Sequence, residues 1–518
     1  MTYSALNHLV SAAPRPGNRI TFRGAGPTES FALEELYAMA GRVAARLRGR
    51  GLRRGDRIGI VAANSLEWVL LDLAALRLGV LTAGFEAGKF PPGRDLMERY
   101  GLTLLFTDEA DAAAPADGVL STGEARAWAA PAAGHQEGEE ELPAVAYGPG
   151  DATTLKFTSG STGRPKGLAA TAGSIDSSLR AVQEMFAHGP GDELFVFLPL
   201  SLLQQRYWVY SALCFGHDLT VSTYGSAFAA LRRARPTVVM GVPAFYELAK
   251  RHIEARAARA EAGTADPETV LRDAARGLFG DRIRYLWTGS APAGTAMPAF
   301  FAACGLPVYE GYGMNETCIV SKNHPGAHRE GSVGRVVPGK EVLVDADGNI
   351  SVRSAFPVGL GYSYAEPGSS EQVFAPDGTV RTGDVGYLDE DGFLYITGRA
   401  DDVVALDNGR NIAVRPIEDR MRLSPAIEEC VVFGTGGARL VAVVSAADDV
   451  PDEAAITAQV RAANELGARH ERISRIIIAP QRFTIAGGLL SSQYKPLRPR
   501  IRAAFRAEIE SPRAGIAA

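Results

Sequence analysis

The 518-residue sequence has few cysteines, no long uncharged apolar run and no strong excess of either charge. Four cysteines are scattered without the spacing of a zinc or redox motif, which favours a reduced, cytosolic protein with buried thiols. They are Cys214, Cys304, Cys318 and Cys430. The net charge of −5 gives no reason to expect a nucleic acid or an anionic membrane as partner.

The most apolar window, residues 68–85, is interrupted by Asp72 and Arg77. Two charges make it too polar to cross a bilayer, so it predicts a core helix followed by a strand and no integral membrane association. The first nine residues lack a basic segment followed by a long apolar run, so no signal peptide is expected. With 46% hydrophobic and 22% charged residues, the composition is that of a soluble cytoplasmic enzyme.

Strand and helix patterns alternate along the first 300 residues. Short apolar strand patterns occur at 58–64, where the strand runs into a turn, and at 104–107, 194–198, 237–240 and 285–288. Helical patterns lie between them, notably at 33–50, 175–187, 244–261 and 266–279. This alternation predicts an α/β architecture with largely parallel sheets.

The pattern changes after residue 330. Short strands with Asp/Gly turns at 345–348 and 389–392 predict a small β-barrel-like subdomain within residues 332–397. A chain of this length is expected to form two or more domains. We predict a large N-terminal domain over 1–398 and a small, mobile α+β domain over 399–518.

Residues 157–167 read Phe-Thr-Ser-Gly-Ser-Thr-Gly-Arg-Pro-Lys-Gly. The glycines let the backbone approach a ligand closely. Amides, hydroxyls and Lys166 then offer hydrogen-bond donors and positive charge to a chain of phosphates. The run is not a Walker P-loop, because Lys166 follows proline. A flexible Gly/Ser/Thr linker is the alternative, but a linker has no use for the Pro-Lys-Gly ending.

This run closely resembles the phosphate loop of the adenylate-forming superfamily, which includes acyl-CoA synthetases, nonribosomal adenylation domains and luciferases. The resemblance implies that the loop binds ATP and that Lys166 also serves catalysis. The nucleotide-binding residues implied are Thr158, Ser159, Gly160, Ser161, Thr162, Gly163 and Lys166.

A second segment, residues 309–317, resembles the family's Y-G-x-T-E adenine-binding turn, with Asn315 where the family usually has Thr. The resemblance implies that Tyr312 packs on adenine, Glu316 holds Mg²⁺ and Thr317 contacts the phosphate being attacked. An aromatic face suits a purine, and a carboxylate beside phosphates suits a hard cation. The nucleotide-binding residues implied here are Gly311, Tyr312 and Gly313.

A third segment, Arg-Thr-Gly-Asp at residues 381–384, precedes a Gly-Arg-Ala-Asp run that ends at Asp401. By the same resemblance Asp384 accepts hydrogen bonds from the ribose hydroxyls, a role that suits an ionised carboxylate. Arg399 is implied to lie near ribose and phosphate. Asp401 is implied to be the hinge of the C-terminal domain.

Beyond the hinge, residues 408–418 resemble the loop that docks on the large domain in the second half-reaction and helps line the pantetheine tunnel. Residues 490–495 align with the family's T-x-x-G-K, so Lys495 is implied to bridge the acid and the α-phosphate. A cation there stabilises the negative charge that builds on phosphorus and its oxygens. Tyr494 replaces the usual glycine and Pro496 follows the lysine.

Five motifs in family order imply a two-step reaction with ATP and Mg²⁺. An acid attacks the α-phosphorus to give an AMP anhydride and pyrophosphate, and an acceptor then displaces AMP. Positioning and charge neutralisation carry such chemistry. Long-chain acyl-CoA synthetases are the branch resembled most, through residues 197–201, 241–247, 288–292 and 331–334.

The segment expected to line the acid pocket departs from that branch. Leu202 and Gln205 stand where the branch has His and Glu, ahead of Arg206. Polar residues at a pocket suit a small or polar substrate better than a fatty chain, unless they reflect ordinary drift on a solvated surface. The pocket residues expected are Leu202, Gln205, Arg206, Gly289, Ser290 and Ala291.

Two enzymes and one binding protein fit these patterns. The first is a ligase that joins a small-molecule carboxylic acid to CoA or to a separate carrier protein, since no phosphopantetheine domain follows Ala518. The second is a diazotase-type ligase that adenylates nitrite and transfers it to an aromatic amine. A catalytically inactive relative used as a binding module is disfavoured by the intact set of site residues.

Overall fold

The computed structural model describes residues 4–109, 117–131, 142, 144–158, 165–259, 266–400, 403–405, 411–435, 439–491, 494–511 and 516–517. The helices are α1 (Ala5–Ser11), α2 (Leu33–Gly49), α3 (Leu66–Leu78), α4 (Arg94–Tyr100), α5 (Gly123–Ala129), α6 (Ala172–Phe186), α7 (Leu203–Phe215), α8 (Ala227–Ala234), α9 (Pro243–Arg259), α10 (Pro267–Phe279), α11 (Ala296–Ala303), α12 (Ser369–Val373), α13 (Arg415–Met421), α14 (Glu453–Leu466), α15 (Arg498–Ala504) and α16 (Arg506–Glu510).

The strands are β1 (Arg19–Arg23), β2 (Glu29–Ala32), β3 (Arg57–Val61), β4 (Leu81–Phe85), β5 (Leu104–Thr107), β6 (Val119–Ser121), β7 (Ala152–Thr158), β8 (Lys166–Thr171), β9 (Glu193–Val196), β10 (Asp218–Ser222), β11 (Val238–Met240), β12 (Tyr285–Thr288), β13 (Val308–Met314), β14 (Cys318–Lys322), β15 (Arg335–Val336), β16 (Lys340–Val344), β17 (Asn349–Ser354), β18 (Val380–Leu388), β19 (Leu394–Arg399), β20 (Val403–Ala405), β21 (Asn411–Ala413), β22 (Ile427–Thr435), β23 (Arg439–Ala446), β24 (Ile473–Ile478) and β25 (Ile516–Ala517).

Two large sheets organise the N-terminal part. Over the described residues, one has nine strands in the order β15-β14-β13-β12-β11-β9-β10-β1-β2, and the other has six in the order β6-β5-β3-β4-β7-β8. The inner pairs are parallel, and antiparallel pairs occur toward the sheet edges. Short runs of Val, Leu and Phe suit such strands, because helices cover both faces of a parallel sheet. The α/β class expected from the sequence is confirmed.

Helix α3 shows why residues 68–85 are apolar. Nearly every side chain of α3 is buried, and β4 follows directly in the six-stranded sheet. Ser65 caps the helix by accepting a hydrogen bond from the Trp68 amide, and Gly79 ends it with φ of 70°. A core helix followed by a strand is therefore confirmed. Among the described helices, none has the length and apolarity needed to cross a membrane.

The β subdomain is an antiparallel sheet in the order β16-β17-β18-β19. The predicted turns at 345–348 and 389–392 join β16 to β17 and β18 to β19. A smaller C-terminal part follows, with the sheet β22-β23-β24-β25 between two apolar clusters of its own. The boundary between 398 and 399 stays a prediction, and the hinge residue Asp401 lies outside the described residues.

Candidate active site

The candidate site lies where β11, β12 and β13 end in the nine-stranded sheet. Ligands of open α/β sheets bind beyond the carboxyl ends of parallel strands. The β-subdomain strands β18 and β19 and the segment around Lys495 contribute further side chains. Residues far apart in the sequence therefore meet at one place.

Tyr312, Asp384 and Arg399 form one hydrogen-bonded group. The Tyr312 hydroxyl donates to Asp384 Oδ2 at 2.5 Å, and Arg399 Nη1 lies 3.3 Å from Asp384 Oδ1. Burial raises the pKa of the Asp384 carboxyl, while the hydrogen bond from Tyr312 and the Arg399 charge favour its ionised form. A carboxylate has about four lone-pair positions, so both oxygens of Asp384 keep capacity for a ligand hydroxyl.

Glu316 and Lys166 meet at Tyr362. The Tyr362 hydroxyl donates to Glu316 Oε1 at 2.6 Å, and Lys166 Nζ lies 5.1 Å from the centre of the same ring. Glu316 is buried. Within the described residues no cluster of three His, Cys, Asp or Glu side chains could cage a metal ion. A single carboxylate beside phosphates fits Mg²⁺, which keeps most of its waters.

The phosphate loop joins two antiparallel strands. Thr158 ends β7 and pairs with Lys166, which begins β8. The predicted ligands Ser159, Gly160, Ser161, Thr162 and Gly163 lie outside the described residues. Of Thr158 only the backbone position is described.

Thr317 stabilises the turn after β13. Its hydroxyl accepts from the Met314 amide at 3.2 Å and donates to the Cys318 carbonyl at 3.0 Å. Lys340 Nζ donates to the Thr317 carbonyl at 2.9 Å. The Thr317 side chain is fully buried, and its hydroxyl forms these hydrogen bonds within its own turn, next to Glu316.

Lys495 lies beside Asp384 and Arg399. Burial lowers the pKa of the Lys495 ammonium from 10.5 to about 8, against the opposing effect of Asp384 and with smaller lowering by Arg415 and Arg399. The preceding Tyr494, which stands where the family pattern has glycine, has φ of 58°, in the left-handed region that glycine adopts without strain. The Tyr494 ring stacks on Tyr224 at 4.5 Å. That contact joins the lysine segment to the large domain.

A cavity of about 70 Å³ lies beside Tyr312. Helices α6 and α7 and the ends of β11, β12 and β13 form its wall. Of the predicted pocket residues, Gln205, Gly289 and Ser290 line it, together with Gly311, Tyr312 and Gly313. Leu202 packs instead against the apolar cluster around β9 and α9, and Ala291 follows Ser290 outside the lining.

Arg206 does not face this cavity. It is 1% exposed and lies in the core, where Nη1 donates to Asp72 at 2.9 Å and to Thr154 at 2.6 Å. Asp72 also accepts from the Tyr210 hydroxyl at 2.5 Å. The charge of Arg206 therefore stabilises the contact between α3 and α7.

Several residues of the site have no motif in the sequence. Tyr362, which contacts both Glu316 and Lys166, comes from a loop of the β subdomain, and Tyr224 comes from the segment before α8. Trp208 and Trp287 line the cavity, with ring centres 5.1 Å apart. The apolar spacing of α7 indicates that Trp208 is buried, but not that it lines a cavity.

Comparison with known proteins matches both parts of the chain. Residues 10–355 match the model of the AMP-binding enzymes, and residues 401–514 match that of the AMP-binding enzyme C-terminal domain. A long-chain-fatty-acid–CoA ligase of Mycobacterium bovis is 29% identical over 89% of this chain and 88% of its own. The 2-succinylbenzoate–CoA ligase of Bacillus subtilis is 25% identical over 83% of this chain and 84% of its own.

Solved structures agree on the fold. An anthranilate–CoA ligase in complex with anthranoyl-AMP has a TM-score of 0.79 at 20% identity, covering 97% of both chains. The family match spans most of the sequence, and both relatives are CoA ligases. The chain belongs to the AMP-binding enzymes and is an adenylate-forming ligase with an acyl-CoA synthetase-like sequence.

Proposed function

We propose that this enzyme activates a short, polar carboxylic acid as its AMP anhydride and transfers the acyl group to a thiol, either CoA or a carrier protein. The observation that carries the proposal is the size of the cavity beside Tyr312, about 70 Å³. Pockets for drug-sized ligands run from about 300 Å³ upward. A cavity several times smaller suits an acid of a few non-hydrogen atoms.

The aromatic residues at the cavity wall also favour a short substrate. Trp208 and Trp287 meet at 5.1 Å, and Phe186 packs behind Trp287 at 5.3 Å. Rings of this size at the wall limit the space left for an acyl chain. The side chains of Gln204 and Gln205 give the wall polar groups that a hydrocarbon tail would leave without hydrogen bonds.

In the first step, an oxygen of the acid attacks the α-phosphorus of ATP, and the bond to the pyrophosphate oxygen breaks. Lys495 is the cation for the charge that builds on the phosphoryl oxygens. Asp384, held by Tyr312 and Arg399, binds the ribose. Lys166 and the loop around it bind the outer phosphates. Mg²⁺, held through Glu316, would neutralise phosphate charge.

The second step is proposed to need a rotation of residues 399–518 relative to 1–398. Lys495 is partly buried and close enough to Asp384 for their charges to interact, and this closeness supports a role of Lys495 in the adenylation step. Rotation about Asp401 would withdraw Lys495 and bring residues 408–418 to the site, where the thiol sulfur displaces AMP. Replacing Asp401 with proline should then slow thioester formation more than pyrophosphate release.

Nitrite is the second candidate substrate. The cavity is small, about 70 Å³. Nitrite needs no room beyond its three atoms. In that case an aromatic amine would replace the thiol as the acceptor.

The test is pyrophosphate release with Mg·ATP over a panel of acids, each with and without CoA. The panel contains short hydroxy and unsubstituted acids, benzoates, hexadecanoate and nitrite. Turnover of a short carboxylic acid with formation of a thioester supports the first candidate. Turnover of nitrite that is independent of CoA and increases with an aryl amine supports the second candidate, nitrite activation. A preference for hexadecanoate refutes the proposal of a short acid.

A further inference from the structure

Helix α7 presents one face to the cavity. Gln204, Trp208 and Ser211 are spaced by four and three residues, so they lie above one another on the helix. Tyr312 and Gly313, two of the residues predicted to bind the nucleotide, line the cavity as well. Ser211 is 3% exposed. Ser211 therefore lines the cavity while being nearly closed to solvent.

His217, behind Ser211, fixes the direction of the serine proton. The His217 Nδ1 atom lies 3.0 Å from the Asp218 carbonyl oxygen, which can only accept, so Nδ1 carries a hydrogen. Burial lowers the pKa of His217 to about 4, and the ring is therefore neutral at pH 7. Its Nε2 atom has a lone pair and lies 3.0 Å from Ser211 Oγ.

The Ser211 hydroxyl must donate to Nε2 of His217. Because this hydrogen bond uses the only hydroxyl proton of Ser211, its oxygen can act only as an acceptor toward a molecule in the cavity. Gln205 adds a second polar group to the same wall. It is 7% exposed, and its Oε1 atom is buried with no partner among the described residues. A buried acceptor without a donor is costly, so a shift of this side chain that exposed Oε1 to the cavity would let a bound N–H or O–H group pair with it.

We infer that Ser211 is a specificity-determining residue and that the acid carries a hydroxyl or amino hydrogen-bond donor on the part that enters the cavity. Binding of such a group requires no change in the Ser211–His217 hydrogen bond. A methyl group in its place leaves the lone pairs of the Ser211 oxygen without a donor, and a site with an unpaired buried acceptor discriminates strongly. This inference rests on the proposed activation of a short carboxylic acid.

The experiment compares matched acids that differ in one group. The probes are 3-hydroxypropanoate against butanoate and 2-hydroxypropanoate against 2-methylpropanoate, measured as kcat/KM for pyrophosphate release. We expect the wild-type enzyme to favour the hydroxy acid of at least one pair about tenfold or more. Ser211→Ala should reduce that ratio to near one, and Ser211→Thr should restore most of it.

Ser174→Ala is the matched control. Ser174 is a fully buried serine of α6 whose hydroxyl donates to the Thr171 carbonyl at 2.8 Å, and it does not line the cavity. This variant should keep the wild-type ratio. Equal kcat/KM values within both pairs, or a ratio that Ser211→Ala leaves unchanged, overturn the inference about Ser211 and leave the proposed activation of a carboxylic acid intact. Pyrophosphate release with nitrite only, or with no acid at all, overturns the proposed carboxylic acid activation and the inference with it.

Discussion

The pKa of Lys495 gives a prediction for the pH dependence of adenylation. Burial lowers that pKa from 10.5 to about 8 in the free enzyme. At pH 7 roughly nine-tenths of the lysine is charged, and at pH 9 roughly one-tenth, from the titration of a single group with this pKa. If only charged Lys495 supports attack on the α-phosphorus, kcat/KM for ATP should fall about tenfold between these pH values.

The protonation equilibrium of Lys495 determines both the direction of the pH effect and the kinetic constant in which it is seen. The kcat/KM for ATP reports groups of the free enzyme, whereas kcat reports those of the complex. Bound phosphates favour the ammonium form and raise the pKa of Lys495 again. The alkaline decline should therefore be steep in kcat/KM and shifted to higher pH in kcat. A lysine with the ordinary value of 10.5 would stay almost wholly charged at pH 9.

The assay is pyrophosphate release from pH 6.5 to 9.5 with three proteins. Wild type should show the alkaline decline. Lys495→Arg should be slower but free of the decline, because a guanidinium stays charged throughout the range. Lys495→Ala should lose pyrophosphate release while its affinity for ATP is nearly kept. An unchanged decline in the arginine variant, or activity retained by the alanine variant, would refute the role given to Lys495.

Three further predictions concern stability and metal use. Arg206→Met should lower the free energy of unfolding by about 3–5 kcal/mol in urea titrations, since Asp72 would remain as a buried charge; a loss below 1 kcal/mol would contradict this. Burial raises the pKa of Glu310 from 4.5 to about 7, so its contribution to stability is complete below pH 4.5 and is lost as the pH rises through 7. Glu310→Gln should remove this dependence, worth up to ~3 kcal/mol, from thermal unfolding curves. Tyr362→Phe removes the hydrogen bond to Glu316 and should raise the Mg²⁺ concentration for half-maximal pyrophosphate release about tenfold, whereas an unchanged Mg²⁺ requirement would separate Tyr362 from the metal site.

The sequence predicted the secondary structure of the large domain well because its signals are local. Apolar runs such as 194–198 and 285–288 form buried parallel strands. Ser65 caps α3 through its own side chain, and Asp-Gly turns such as 345–348 join antiparallel strands. Each of these features depends on residues within a few positions of one another.

The candidate site depends on contacts between distant residues. Motif order indicated which side chains belong to the nucleotide site, but not that Tyr312 donates to Asp384 or that Tyr362 joins Glu316 to Lys166. Tyr362 belongs to no motif, and its position depends on how the β subdomain packs. Such pairings are properties of the tertiary structure and leave no periodic pattern in the sequence.

Arg206 shows how a pocket prediction can mistake the direction of a side chain. Motif alignment placed it beside Gln205 at the acid pocket, yet neighbouring residues of a helix point in different directions. One signal was present in the sequence. Asp72 interrupts an apolar helix, and a buried charge needs a partner of opposite sign. That partner is Arg206.

The most direct test of the central claim is acid-dependent exchange of labelled pyrophosphate into Mg·ATP, measured in the absence of any acceptor. Exchange isolates the adenylation step from the second half-reaction. We expect exchange with short polar carboxylic acids, none with hexadecanoate, and loss of exchange in Lys495→Ala. Exchange with hexadecanoate at an equal or higher rate, or no exchange with any carboxylic acid, would contradict that claim.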